Sequence, residues 1–158
     1  MNKLPRPLKR VTVCEELVEL TKDPTLAIIL NQFLLYTRSA KDFDKMIEEE
    51  SRIRVIGPIA EEMLDINVSP RYGWIYKRVS DLLSDTMLNT SDTTMRRCIS
   101  TLVKNGWLEE RKNPFNKWDQ SKQFRCNISK LQQDLRALGY PLDGFSLDKQ
   151  DDKRKLAL

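Results

Sequence analysis

Two adjacent arginines, Arg96 and Arg97, follow Ser91, Asp92, Thr93 and Thr94 in the stretch SDTTMRRCISTLVKN. A guanidinium donates in a fixed fork that suits phosphate oxygens and the exposed edge of guanine. Thr93 and Thr94 stand where a helix would begin, and free backbone N–H groups there also favour anions. Ser100 and Lys104 extend the same polar side. Further along, Arg111, Lys112, Lys117, Lys122 and Arg125 surround Asn113, Asn116 and Trp118. That second group suits a sequence-independent grip on a phosphate chain. Trp118 is expected to pack back and fix this basic loop, with stacking on a sugar or base as the alternative. Asp92 is expected to stabilise the helix start, with acceptance from a cytosine amine as the alternative. Asp119 is expected to pin the turn.

This chemistry is binding rather than turnover. The chain contains no His, which removes imidazole bases, His-ligated zinc and every Ser-His or Cys-His nucleophile system. The carboxylates are scattered and there is no Gly-rich phosphate loop, so no catalytic pair, cofactor or metal site is expected. Cys14, Cys98 and Cys126 are odd in number and form no CxxC. A reducing cytosol suits them better than a disulfide scaffold. The basic N-terminus is followed by no apolar segment of signal-peptide length. The most apolar stretch, 26–36, is interrupted by Asn31 and Gln32 and falls short of the roughly 20 residues of a spanning helix. A cytoplasmic protein with no membrane partner is expected.

Charge is unevenly spread. Residues 71–140 hold 13 Lys or Arg against 7 Asp or Glu, whereas residues 1–70 hold 10 against 12 and residues 141–158 hold 4 against 4. The net charge of +4 therefore comes from the segment that carries the arginines and lysines just named, and a polyanion responds to such local excess. An apolar share of 40% over 158 residues is enough for one domain with a real core.

The elements that would position these groups are legible from local signals. Residues 1–10 read as a basic, Pro-containing arm and 14–21 as a short helix. Asp23-Pro24 is an N-cap followed by Pro at the first helical position. The following run is apolar on all sides and is expected to be buried, with a dimer contact as the alternative. Residues 42–53 read as an amphipathic helix with Phe43, Met46, Ile47 and Ile53 inward and the run Glu48-Glu49-Glu50 in solvent. Gly57-Pro58 breaks the chain, Ile59, Met63 and Ile66 suggest another helix, and 67–70 a loop. An edge strand is expected at 73–76, a helix at 78–87, a turn at 88–90, and a helix from Ser91 or Thr90 to Asn105, ended by Gly106. In that helix Met95, Cys98, Ile99, Leu102 and Val103 make one apolar stripe. Strands follow at 107–111 and 123–127, with a polar loop between them. A last helix covers 129–138, and 143–158 reads as a polar, disordered tail. The order helix, turn, helix, strand, loop, strand is that of a winged helix-turn-helix. The expected fold class is mainly α with a small β-wing (α+β), one domain over 11–142 with a helical insertion at about 40–72.

The stretch TSDTTMRRCISTLVKNGWLEERKNPFNKWDQSKQFRCN resembles the winged-helix replication proteins of phages, plasmids and integrative elements of Gram-positive bacteria. These look like distant relatives of DnaD-type primosome initiators and phage replisome organisers. The matching pieces are the opening at Ser91–Arg97, the close Leu102–Leu108, the segment NPFNKWD at Asn113–Asp119 and the ending Phe124–Asn127. Leu30-Asn31-Gln32-Phe33 and Gly73-Trp74-Ile75-Tyr76 fit the same arrangement, so the resemblance spans about residues 10–145. It implies replication-associated binding of double-stranded DNA, with a homodimer and other replication proteins as further partners. Related proteins often carry an additional C-terminal region that engages a helicase loader or single-stranded DNA. Only about 15 polar residues follow the last expected helix, so helicase recruitment is not expected of this chain alone. A transcriptional regulator would use the same head. A protein-docking module is the alternative of a different class, motivated by the apolar helix at 26–36 and the acidic segment 42–50.

Overall fold

The computed structural model describes residues 6–52, 70–142 and 145. The expected helix around Ile59, Met63 and Ile66, the Gly57-Pro58 break and most of the C-terminal tail lie outside those residues. Within them the chain is mainly α with a small antiparallel sheet. In order come α1 (Glu15–Thr21), α2 (Pro24–Arg38), α3 (43–52), β1 (Ile75–Tyr76), α4 (Val79–Thr86), α5 (Asp92–Lys104), β2 (Leu108–Lys112), β3 (Lys122–Cys126) and α6 (Ile128–Ala137). No helix among the described residues is long and apolar enough to cross a membrane.

Helix α2 is the axis of the core. Asp23 caps it by accepting from the Thr25 amide at 2.8 Å, and Pro24 occupies the first turn, where its missing N–H costs nothing. Ala27, Ile29, Leu30 and Phe33 are fully buried, and the helix packs against α1, α4, α5 and β3. Most of its apolar surface therefore serves the interior of the chain, as expected, with Leu35 left exposed.

Strand order in the sheet is β1-β3-β2, with β3 antiparallel to both neighbours. Leu108 pairs with Cys126 and Glu110 with Phe124 on one face; Glu109 pairs with Arg125 and Arg111 with Gln123 on the other. The first face rests on α2, where the Phe33 and Phe124 rings lie 5.4 Å apart. The second lies under α3, whose Glu49 and Glu50 approach Arg125. Helix α3 also holds the approach to β1. Glu49 accepts from the amides of Arg71 at 2.7 Å and Tyr72 at 3.2 Å, and Asp42 accepts from Gly73 at 3.1 Å.

Helix α5 begins and ends on local signals. Ser91 is its N-cap, accepting from the Thr94 amide at 3.2 Å. Gly106, at φ +82, turns the chain out. Its N–H bonds the Val103 carbonyl while that of Trp107 bonds the Leu102 carbonyl, the paired bonds of a Schellman end. Trp107 then leads directly into β2, and its indole N–H donates to Asp134 of α6 at 2.8 Å.

Two expectations are corrected by packing. Of the acidic run, only Glu48 is exposed; Glu49 is half-buried and Glu50 is buried, because α3 turns them toward the sheet. Phe145, in the segment expected to be a disordered tail, is buried against Phe43, with its ring centroid 5.7 Å away, and lies under the Arg38 guanidinium.

Gly73 is where backbone and packing demands meet. It adopts φ +84, and a Cβ there would lie 2.2 Å from Met46 Sδ, a fully buried side chain. Gly139 has a similar φ of +87 but nothing within 4 Å. We expect Gly73→Ala to cost about 2–4 kcal/mol in urea unfolding, combining left-handed strain with overpacking. Gly139→Ala should show only the strain, about 1–2 kcal/mol; equal losses at the two sites would refute the Met46 contact.

Candidate nucleic-acid interface

The polar side of α5 lies opposite its buried stripe of Met95, Ile99 and Leu102. Asp92, Thr93, Arg96, Arg97, Ser100 and Lys104 are all exposed. Arg96 and Arg97 make no ion pair or side-chain hydrogen bond among the described residues, so their forks point to solvent unpaired. Ser91 and Thr94 are engaged locally: the Ser91 hydroxyl donates to Thr94 Oγ1 at 3.0 Å while capping the helix. Thr94 is half-buried, so this pair shapes the helix start more than it offers free contacts. Asp92 stands in the first turn, where its charge favours the helix N-terminus.

The β2–β3 loop covers 113–121 and is held by its own side chains. Asn113 accepts from the Phe115 amide at 3.0 Å and donates to Asp119 at 3.2 Å. Asn116 accepts from the Trp118 amide at 3.0 Å, and Asp119 from the Ser121 amide at 2.9 Å. Bonds from Ser121 and Asn113 hold the Asp119 carboxyl below its usual range, which fits the expected role of pinning the turn. Lys112, Asn116, Lys117 and Lys122 are exposed. Lys112 donates to Gln120 at 3.0 Å, Lys122 pairs with Glu110 at 3.4 Å, and Lys117 has no side-chain partner among the described residues.

Three residues of the predicted set are placed differently. Arg125 is fully buried and cannot reach a phosphate. Its NH2 donates to Glu50 at 2.8 Å and lies 3.5 Å from Glu49, while NH1 is 3.8 Å from Glu109. The cause is α3, which covers the sheet face that Arg125 occupies. Arg111 shares that face: its Nε donates to Gln123 at 2.8 Å and its guanidinium lies 4.3 Å from the Trp74 ring centroid, leaving it half-buried. Trp118 does not pack back; it is 92% exposed.

Two features escaped sequence reading. Phe115 is 91% exposed at the same loop, and its spacing of three residues from Trp118 was the available signal. Arg78, exposed at the start of α4, donates to the Tyr76 hydroxyl at 3.3 Å. Tyr76 pairs with Gln123 across the sheet, so β1 places a cation beside the base of the loop. No local pattern marks that proximity, which arises from the pairing of β1 with β3.

No protein-family model matches the chain, and no curated protein or solved structure matches it.

The buried cluster has a pH signature. Burial pushes the Glu50 carboxyl up to about 7 against the pull of Arg125, from an ordinary value of 4.5, and burial also raises Glu109. A carboxyl that binds its proton more tightly when folded favours the native state below its unfolded pKa. That contribution is lost as pH climbs through the folded value. Thermal stability should therefore fall from pH 4.5 to above about 7, and Glu50→Gln should flatten the profile over that window. Arg125→Ala should cost about 3–5 kcal/mol, since it strands buried carboxylates. An unchanged pH profile in Glu50→Gln would contradict this arrangement.

Proposed function

We propose that this chain is a winged-helix protein that binds double-stranded DNA in a sequence-dependent way. Helix α5 enters the major groove and the β2–β3 hairpin, as the wing, holds the phosphate chain. The observation that carries the reading is the exposed face of α5: two arginines without a side-chain partner among the described residues, with Ser100 and Lys104, opposite an apolar stripe that anchors the helix to the core. The topology supports it, since two helices joined by residues 87–91 lead straight into a hairpin whose loop is basic. Arg96 and Arg97 are assigned to base edges and nearby phosphates. Lys112, Lys117 and Lys122 are assigned to the backbone, with Arg78 as a further phosphate contact. Arg111 and Arg125 are assigned to the fold.

The motif resemblance within 91–127 extends the reading to replication initiation or replisome organisation in a phage or mobile element. The docking-module alternative is weakened, because both surfaces that motivated it are used within the chain: α2 by the core and Glu49 and Glu50 by the sheet.

Selection of preferred duplexes from a random pool at two salt concentrations tests the proposal. Arg96→Ala or Arg97→Ala should relax the preference, with each lost bidentate contact worth about 1–3 kcal/mol of discrimination. Lys117→Ala should weaken all duplexes alike and lower the salt slope by about one. A pool that emerges unenriched, or affinity indifferent to salt, would sink the reading.

A further inference from the structure

Among the described residues, Phe115 and Trp118 have the highest exposures of the large apolar side chains, at 91% and 92%. Both sit on one loop whose other residues are Asn, Lys, Asp, Gln, Ser and Pro. Rings left in water forgo their burial free energy, so this loop gains nothing from them in the free protein. Nor is the loop slack: Asn113 and Asn116 fix the backbone at Phe115 and Trp118 themselves. The same loop and the strand ends that carry it hold the exposed Lys112, Lys117 and Lys122, with Asp119 bound to Ser121 and Asn113. Two flat apolar faces in a cationic rim match a ligand with flat apolar faces on an anionic chain.

Resting on the DNA-binding reading above, we propose that the hairpin tip engages unstacked bases, with Phe115 and Trp118 against base faces and the three lysines on flanking phosphates. A closed duplex hides its base faces within the stack, so the rings gain contact only where a step is kinked or opened. The protein then binds a locally opened duplex more tightly than the closed one, because the opened site has already met the cost of unstacking. Stacking on aromatic side chains tolerates any base, so this preference is independent of the sequence read by α5.

The test compares the full chain on a selected duplex and on the same duplex carrying about four central mismatched pairs, by fluorescence anisotropy. The opened duplex should bind about tenfold more tightly, since base–aromatic stacks are worth roughly five- to a hundredfold each. Phe115→Ala/Trp118→Ala should abolish that preference while changing closed-duplex affinity less than about twofold. Both residues are exposed, so folding is not at risk, and circular dichroism verifies it. Equal binding of the two duplexes by the native chain, or a preference that survives the double substitution, overturns the proposal and leaves the DNA-binding reading standing. Failure to bind either duplex overturns both. Self-association that the double substitution abolishes, with DNA affinities unmoved, overturns the proposal in favour of a second copy as occupant.

Discussion

A three-stranded sheet of such short strands has two faces, and each must be covered for the hairpin to hold its place. Helix α2 covers one with apolar side chains, bringing Phe33 onto Phe124, and α5 packs on β2, where Leu108 is buried. The other is closed by the ion pair of Arg125 with Glu50, flanked by Glu49 and Glu109. An apolar side chain could fill that place without the desolvation cost of buried charge. The pair does something an apolar contact does not: it requires Glu50 to lie within hydrogen-bond reach of one residue of β3. The position of α3 is thereby tied to the register of the sheet. Glu49, bound also to the amides of Arg71 and Tyr72, extends the tie to the chain entering β1.

That closure sorts the cations. The basic excess of residues 71–140 suggests a continuous positive surface, but Arg125 is turned wholly inward and Arg111 half so. What remains outward is narrower and gathers chiefly in two places, the exposed face of α5 and the end of the hairpin with its loop, with Arg71, Arg78 and Arg136 exposed elsewhere. The two are joined rigidly, because the Schellman end at Gly106 feeds Trp107 directly into β2 and Trp107 is itself held by Asp134. Helix α5 and the β2–β3 hairpin would move as one body on such a connection.

Much of this was legible from neighbouring residues alone. Asp23-Pro24, Ser91 and Gly106 announce helix ends through bonds that span only a few positions, and the stripe of Met95, Ile99 and Leu102 follows from helical periodicity. These signals are local because the backbone groups they satisfy are local. The exposed face of α5 was readable for the same reason: once the stripe is placed, Arg96, Arg97, Ser100 and Lys104 can only lie on the other side.

The order of elements, their caps and the polar face of α5 were thus determined by the sequence itself. Which face of β3 meets water was not, because alternation names two faces without saying what covers each. Arg125 is buried by Glu50, 75 positions earlier, and nothing near either residue records the other. The burial of Phe145 against Phe43 is likewise non-local. Trp118 shows the converse: a ring expected to pack back stands exposed among the described residues, since the Asx turns of its loop hold it outward. Long-range packing alone decided which charges serve the interior and which remain available to a ligand.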